Sequence, residues 1–350
     1  MEILLNPFRG TGLTHPELAD VPAPAADPAR VLALLARCPE AAATPLVAAP
    51  GLAQAAGVGA LWIKDERGRM GLGSFKALGA AHVIAREAEE GLARGRTYVT
   101  ASAGNHGLSV AAGARAFGAR ARIYIAETVP ESFARTLRGH GAEVRREGAD
   151  YEASMAAAAR AAATEGLELI SDSSWPGYLK RPHLLMEGYL ALMAEVAGQL
   201  DEAPTHVFLQ AGVGGLAGAA AAFVRAHWGA APRIVVVEPA FAPALAGSIA
   251  AGAPVTASGP VSVMGRLDCK APSLIALKGL ARDADGFQTI TEAEAAQGAA
   301  KAAGAGLPTT PSGAAGLAGL LALAEQGVAL DLGPASRVLV ILSEQPEPLE

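Results

Sequence analysis

Lys76, in Gly71-Leu72-Gly73-Ser74-Phe75-Lys76-Ala77, has the type and setting of a working nucleophile. A lysine attacks a carbonyl only as the free amine, and desolvation beside Phe75 and Leu78 would favour that form. Glycine on both sides of Leu72 lets the chain turn sharply before a helix. The amine can then project from the first turn into a cleft at the strand ends. The chemistry such a residue offers is Schiff-base formation with an aldehyde.

Two further segments carry ligand-binding chemistry. Thr100-Ala101-Ser102-Ala103-Gly104-Asn105-His106-Gly107 follows an apolar strand and opens a helix whose free amides could receive a carboxylate. Asn105 adds a donor and an acceptor suited to a phenolic oxygen, helix capping by Ser102 and Asn105 being the plainer alternative. Ser102, Ala103, Gly104 and His106 are the candidate substrate-binding residues of this loop, packing being the commoner part for the imidazole itself. Gln210-Ala211-Gly212-Val213-Gly214-Gly215-Leu216-Ala217-Gly218 likewise joins a strand to a helix, and its amides could cradle a phosphate. Close helix packing uses the same glycines. The segment lacks the Gly-Lys-Ser/Thr ending of a nucleoside-triphosphate loop, and Glu238 is the sole hint of a ribose partner.

Short β-prone runs alternating with helical patterns would hold these segments in place. The strands read as 61–64, 97–102, 121–126, 143–146, 167–170, 205–210, 233–238, 287–290 and 338–342. Helices follow at 74–94, after Asn105, from Pro130, through Met155, after Gly214, from Glu292 and from Ser312, with a short one at 28–37. Continuous apolar strands between helices imply an α/β fold with mostly parallel strands covered on both faces. The irregular stretch 239–272 reads as a loop able to cover a site.

Composition narrows the function class. Among 350 residues, 28 Lys and Arg against 34 Asp and Glu leave a net charge of −6 without a basic face, so nucleic acid is not an expected partner. Cys38 and Cys269 lie far apart and outside any C-x-x-C spacing, and no metal site is expected. The N-terminus lacks the pattern of a signal peptide and the apolar runs are broken, so a cytoplasmic protein with no membrane segment is expected.

A lysine amine, an Asn in a carboxylate-binding helix start and a later phosphate loop together match pyridoxal 5′-phosphate (PLP) best. Thr44-Pro45-Leu46, Lys64-Asp65-Glu66, Ser74-Phe75-Lys76, Ser102-Ala103-Gly104-Asn105-His106 and Gly212-Val213-Gly214-Gly215 stand in the order found in the tryptophan-synthase-β-like, fold type II PLP enzymes, and the chain resembles them over about residues 44 to 345. The resemblance implies a two-domain architecture of mostly parallel twisted sheets flanked by helices. Residues 1–79 and 184–350 would form the large cofactor-binding domain, and 80–183 a small mobile domain with the carboxylate loop. It further implies that Lys76 holds PLP as a Schiff base, Asn105 contacts the ring hydroxyl, and Gly212, Val213, Gly214, Gly215 and Leu216 hold the phosphate. Ser343 would stand beside the ring nitrogen, with Glu344 next to it read as solvent-exposed charge.

Within that group, Gly71 to Gly79, Ser171-Asp172-Ser173-Ser174-Trp175-Pro176-Gly177-Tyr178 and Ser312 to Leu317 look most like diaminopropionate ammonia-lyase. The resemblance makes Asp172 a catalytic carboxylate, able to recognise a side-chain ammonium or exchange its proton; a turn Asp is the plainer alternative. Ala103 stands where those lyases carry a second aspartate, and Ser-Ala-Gly-Asn-His is the pattern of threonine and serine dehydratases. Elimination from a β-amino or β-hydroxy amino acid, giving a 2-oxo acid and ammonia, is therefore expected. An amino-acid racemase, a β-replacement synthase and a silent PLP-binding protein are the alternatives. A homodimer is the usual assembly of the resembled family. Arg181 and His183 read as solvated helix-start residues.

Overall fold

The computed structural model describes residues 1–326 and 330–346. In chain order the elements run β1 (Glu2–Leu5), α1 (Ala29–Leu35), β2 (Leu46–Ala48), α2 (Pro50–Ala55), β3 (Ala60–Asp65), a 3-10 segment (Glu66–Gly71) and α3 (Lys76–Glu89). The next group is β4 (Thr97–Ala101), α4 (Asn105–Ala116), β5 (Arg120–Ile125), α5 (Glu131–Gly139), β6 (Glu143–Arg146), α6 (Tyr151–Glu165) and β7 (Glu168–Leu169). The chain continues through α7 (Lys180–Gln199), β8 (His206–Gln210), α8 (Gly215–Trp228), β9 (Arg233–Pro239) and α9 (Ala244–Ala251). It closes with α10 (Leu274–Asp283), β10 (Gly286–Ile290), α11 (Glu292–Gly304), α12 (Ala315–Gln326) and β11 (Arg337–Leu342).

These strands form two sheets, mostly parallel as the alternation predicts. The larger has the order β1-β10-β9-β8-β11-β3-β2, and the smaller is β6-β5-β4-β7. All pairings are parallel except at the two edges of the large sheet, where β1 and β2 pair antiparallel. The strands of the small sheet are parallel throughout. Every residue of β8 is buried, because helices cover both faces of the sheet. Val207, Leu209, Val236 and Ile341 pack into one core with α7, α8 and α10. Phe208, Val237, Val340 and Leu342 alternate into the opposite core, against α2, α11 and α12. The small sheet buries Val99, Ala101 and Tyr124 against Ala157, Ala158 and Ala161 of α6.

Differences from expectation are local. The helix expected from Ser74 starts at Lys76, because Gly73 turns at φ 78 and Ser74 bridges to Glu344. The stretch 239–272 contains α9, whose first turn is capped by Glu238: the carboxylate accepts the amides of Leu245 at 2.8 Å and Ala246 at 2.7 Å. That capping uses both carboxylate oxygens, which removes the ribose-partner reading.

The Thr44 and Lys64 motifs belong to a buried ionic cluster. Lys64 Nζ donates to Thr44 O and Glu195, both at 2.7 Å. Arg69 donates to Glu66 Oε1 at 2.7 Å and to both oxygens of Glu195 at 2.7 and 2.8 Å. Two cations face two carboxylates, so the charges balance, which is what allows Glu66 and Lys64 to sit at 0% exposure. The cluster anchors the 3-10 segment that leads into Lys76.

Candidate active site

Lys76 is the first residue of α3, and its chain reaches the loop between β7 and α7. There its ammonium pairs with Asp172 at 2.5 Å, each side chain about one-fifth exposed at 20% and 21%. Burial pulls the Lys76 amine down, but the charge of Asp172, with Tyr189 and the direct hydrogen bond, more than offsets it, and the amine is held well above its ordinary range. The expectation of a free amine through desolvation is thus corrected: a carboxylate that apolar neighbours do not reveal keeps the ligand-free lysine charged. Burial raises Asp172 and Lys76 lowers it more, leaving it ionised.

Asp172 is placed by its loop. Ser174 Oγ bonds Ser273 Oγ at 2.7 Å and accepts the Ile275 amide at 2.9 Å, capping α10, while Ser273 donates its amide to Val213 O at 2.9 Å. One polar bridge therefore fixes Asp172 relative to the glycine loop 212–216.

That loop ends at Gly214, with φ 95 and no side-chain cap, and the first helical bond of α8 runs from Gly218 N to Gly214 O at 2.8 Å. The amides of Gly215, Leu216 and Ala217 precede the ladder, the arrangement by which a helix start can receive an anion. A side chain at Gly214 would demand an unfavourable backbone and press within 3.0 Å of Ala276 and Leu245. Cys269 packs beside Gly212, and burial pushes its thiol up to about 12, so it stays protonated.

Asn105 opens α4 and donates from Nδ2 to Glu344 Oε2 at 2.5 Å. Ser102 Oγ accepts the Gly104 amide at 3.2 Å, an internal turn of the loop, and Ala103 packs against the main core. His106 is 7% exposed and bonds Ile170 O at 3.1 Å through Nε2, with burial lowering its basicity. Ser343 is 4% exposed at the end of β11. Glu344 is not solvent-exposed charge: it is 5% exposed, and its carboxylate also accepts Thr310 Oγ1. The turn from β11 back beside Ser74 carries it inward. Arg181 is likewise not solvated, because Glu87 and Glu168 take its guanidinium at 2.8 and 2.5 Å. His183 bonds Ala23 O at 3.0 Å and stands apart from the site.

The site also contains residues that sequence reasoning missed. Tyr189 on α7 is 1% exposed, its hydroxyl has no hydrogen-bond partner, and its ring meets Phe75 edge-on at 4.8 Å. Burial raises the phenol while the adjacent Lys76 charge pulls it down, with a net rise. Gly79 admits it, since a Cβ there would lie 2.9 Å from the Tyr189 hydroxyl. Arg266 presses on the Asn105 loop in the same way, against the place a Cβ would take at Gly104.

The donor set fits PLP. An amine, an amide side chain, three leading helix amides and a serine hydroxyl complement an aldehyde, a ring oxygen, a phosphate and a pyridine nitrogen, and the unpartnered Tyr189 hydroxyl points to a missing polar neighbour. Among the described residues no cluster of metal-ligating side chains occurs, and no helix is long and apolar enough to cross a membrane.

Similarity to known proteins agrees with the geometry. The chain is 33% identical to a diaminopropionate ammonia-lyase of Salmonella typhimurium over 296 residues, covering 77% of this chain and 73% of that protein. It is 32% identical over 228 residues to a serine dehydratase-like protein of Mus musculus, covering 65% of each. The fold superposes on holo diaminopropionate ammonia lyase from Escherichia coli with a TM-score of 0.87 at 28% identity, covering 98% of this chain and 93% of that one. Residues 38–344 match the pyridoxal-phosphate dependent enzyme family, and the chain belongs to that family.

Proposed function

We propose that this enzyme performs PLP-dependent β-elimination on an α-amino acid with a β-amino group, a 2,3-diaminopropionate-like substrate, to release a 2-oxo acid and ammonia. The observation that carries the reading is the Lys76–Asp172 pair at 2.5 Å, with the Asp172 backbone beside Gly215 at the start of α8. Similarity to the two lyases supports it.

Lys76 is the Schiff-base residue, Gly212, Val213, Gly214, Gly215 and Leu216 hold the phosphate, Asn105 meets the ring oxygen and Ser343 the ring nitrogen. Bound there, PLP supplies an electron sink for the pair left when the α-proton departs. Ser102, Ala103, Gly104 and the first turn of α4 receive the substrate carboxylate through backbone amides. Lys76 Nζ takes the α-proton as general base. Once that amine is engaged elsewhere, the ionised Asp172 is left facing the cleft, where it binds the β-ammonium and keeps the leaving amine protonated. Substrate plus water then yields one 2-oxo acid and two ammonia. A β-hydroxy amino acid is the second reading, favoured by the uncharged Ala103 in the carboxylate loop.

Residues 80–183, which contain the whole small sheet, act as the mobile domain that closes the carboxylate loop over substrate. The active form is a homodimer in the cytoplasm. The test is a panel of 2,3-diaminopropionate, serine and threonine, with oxo acid and ammonia measured for each. If the cofactor is bound and none reacts, elimination is the wrong chemistry.

A further inference from the structure

Glu344 has no part in the mechanism above, yet it occupies the same ground. It follows β11, its backbone bridges Ser74, Phe75 N bonds Ser343 O at 3.1 Å and Gln345 N bonds Gly73 O at 2.9 Å. Residues 343–345 therefore run beside the segment that delivers Lys76. The carboxylate also borders a cavity of about 410 Å³ that it shares with Arg266, Thr309, Thr310 and Ser312.

A carboxylate at 5% exposure needs hydrogen-bond donors, and it has them in Thr310 Oγ1 and Asn105 Nδ2, the latter at 2.5 Å. Arg266 Nε stands 3.8 Å from the same Oε2, on the side of Gly104. The bond to Asn105 has a chemical consequence. An amide has two N–H donors and one acceptor oxygen. Turning Asn105 over would place its oxygen against a carboxylate, two acceptors facing each other, so Glu344 fixes which edge of the amide donates.

We propose that Glu344 is a positioning residue for the cofactor: it holds Asn105 Nδ2 by one of its two N–H groups, leaving the second to face the ring oxygen, and sets a negative charge beside that oxygen whose effect outweighs that neutral donor. This inference rests on the assignment of Lys76 and Asn105 to PLP. The charge disfavours a ring phenolate, so in the resting enzyme the proton shared between ring oxygen and imine nitrogen is shifted toward oxygen. The neighbouring Arg266 moderates the field without replacing the direct contact.

The test is the absorption spectrum of the holoenzyme, in which the two positions of that proton give separate bands. In Glu344→Gln the ratio moves about ten-fold toward the longer-wavelength band, the size expected for a charged hydrogen bond. Glu344→Asp, which keeps the charge but withdraws it by one methylene, moves the ratio less in the same direction. This variant serves if the glutamine variant does not fold. Cofactor content is measured alongside by borohydride reduction and peptide mapping. If Lys76 carries the label and both variants keep the wild-type band ratio, the role of Glu344 is overturned while the cofactor assignment stands. If wild-type Lys76 carries no label, the cofactor assignment falls and this inference falls with it.

Discussion

Replacing Asp172 by Asn tests how the site controls its amine, and the expected effect runs against intuition. Removing a residue placed in the catalytic machinery should make the first contact with cofactor faster. The two side chains are 2.5 Å apart and about 20% exposed, between the surface pairs worth less than 1 kcal/mol and buried pairs whose disruption costs 3 to 5. An intermediate value of about 2 kcal/mol is appropriate, which is about thirty-fold in the ammonium–amine equilibrium. Without the carboxylate, burial acts on Lys76 with less opposition, and its ordinary effect is to favour the neutral amine. Cofactor-free Asp172→Asn should therefore capture PLP about thirty-fold faster than wild type at neutral pH, with the advantage vanishing at high pH where both amines are free. Stopped-flow absorbance reads this directly. Turnover of a diamino acid should fall about a hundred-fold in the same variant, because its ammonium loses its partner. A capture rate and pH profile equal to wild type would refute the claim that Asp172 holds the lysine charged.

Other residues give independent checks. Tyr189→Phe removes a buried hydroxyl that lies beside Lys76 without a well-formed hydrogen bond, so cofactor-free protein should gain about 1 kcal/mol in a urea titration; a loss of stability would show that the approach to Lys76 is a stabilising bond. Glu66→Ala leaves Arg69 and Lys64 with one carboxylate between them, and should cost about 3 kcal/mol or more by the same titration. Burial pushes the Glu238 carboxyl up to about 8, against the pull of two backbone amides. A raised carboxyl binds its proton more tightly folded than unfolded, so its stabilisation is present below the usual glutamate range and lost as pH rises through about 8. The thermal midpoint of wild type should decline over that interval and that of Glu238→Gln should not; parallel curves would contradict it.

Most strands and helices that repeat the parallel alternation were legible because they are continuous apolar runs, such as β8 and β11, or helical periods between them. The elements that escaped were β1, β2, α2, α9 and α10, with only the start of α7 marked by Arg181 and His183. Strands β1 and β2 are short edge strands whose existence depends on partners hundreds of residues away or on a reversed neighbour, and no local pattern encodes that. Lys76, Asn105 and the glycine loop announced themselves because each opens a helix at a strand end. Tyr189 and Glu344 could not, since α7 crossing α3 brings the first to Lys76 and the turn after β11 folds the second inward. The protonated state of Lys76 was misread for the same reason: Phe75 and Leu78 are neighbours in sequence, whereas Asp172 is a neighbour only in space.

The most direct test of the central claim is the stoichiometry of products from 2,3-diaminopropionate, with PLP-loaded wild type and Lys76→Ala compared. The account predicts one 2-oxo acid and two ammonia per substrate from wild type, and neither from the variant. Oxo acid formation undiminished in Lys76→Ala, or a wild type that binds PLP yet returns the diamino acid unchanged or as its enantiomer, would contradict it.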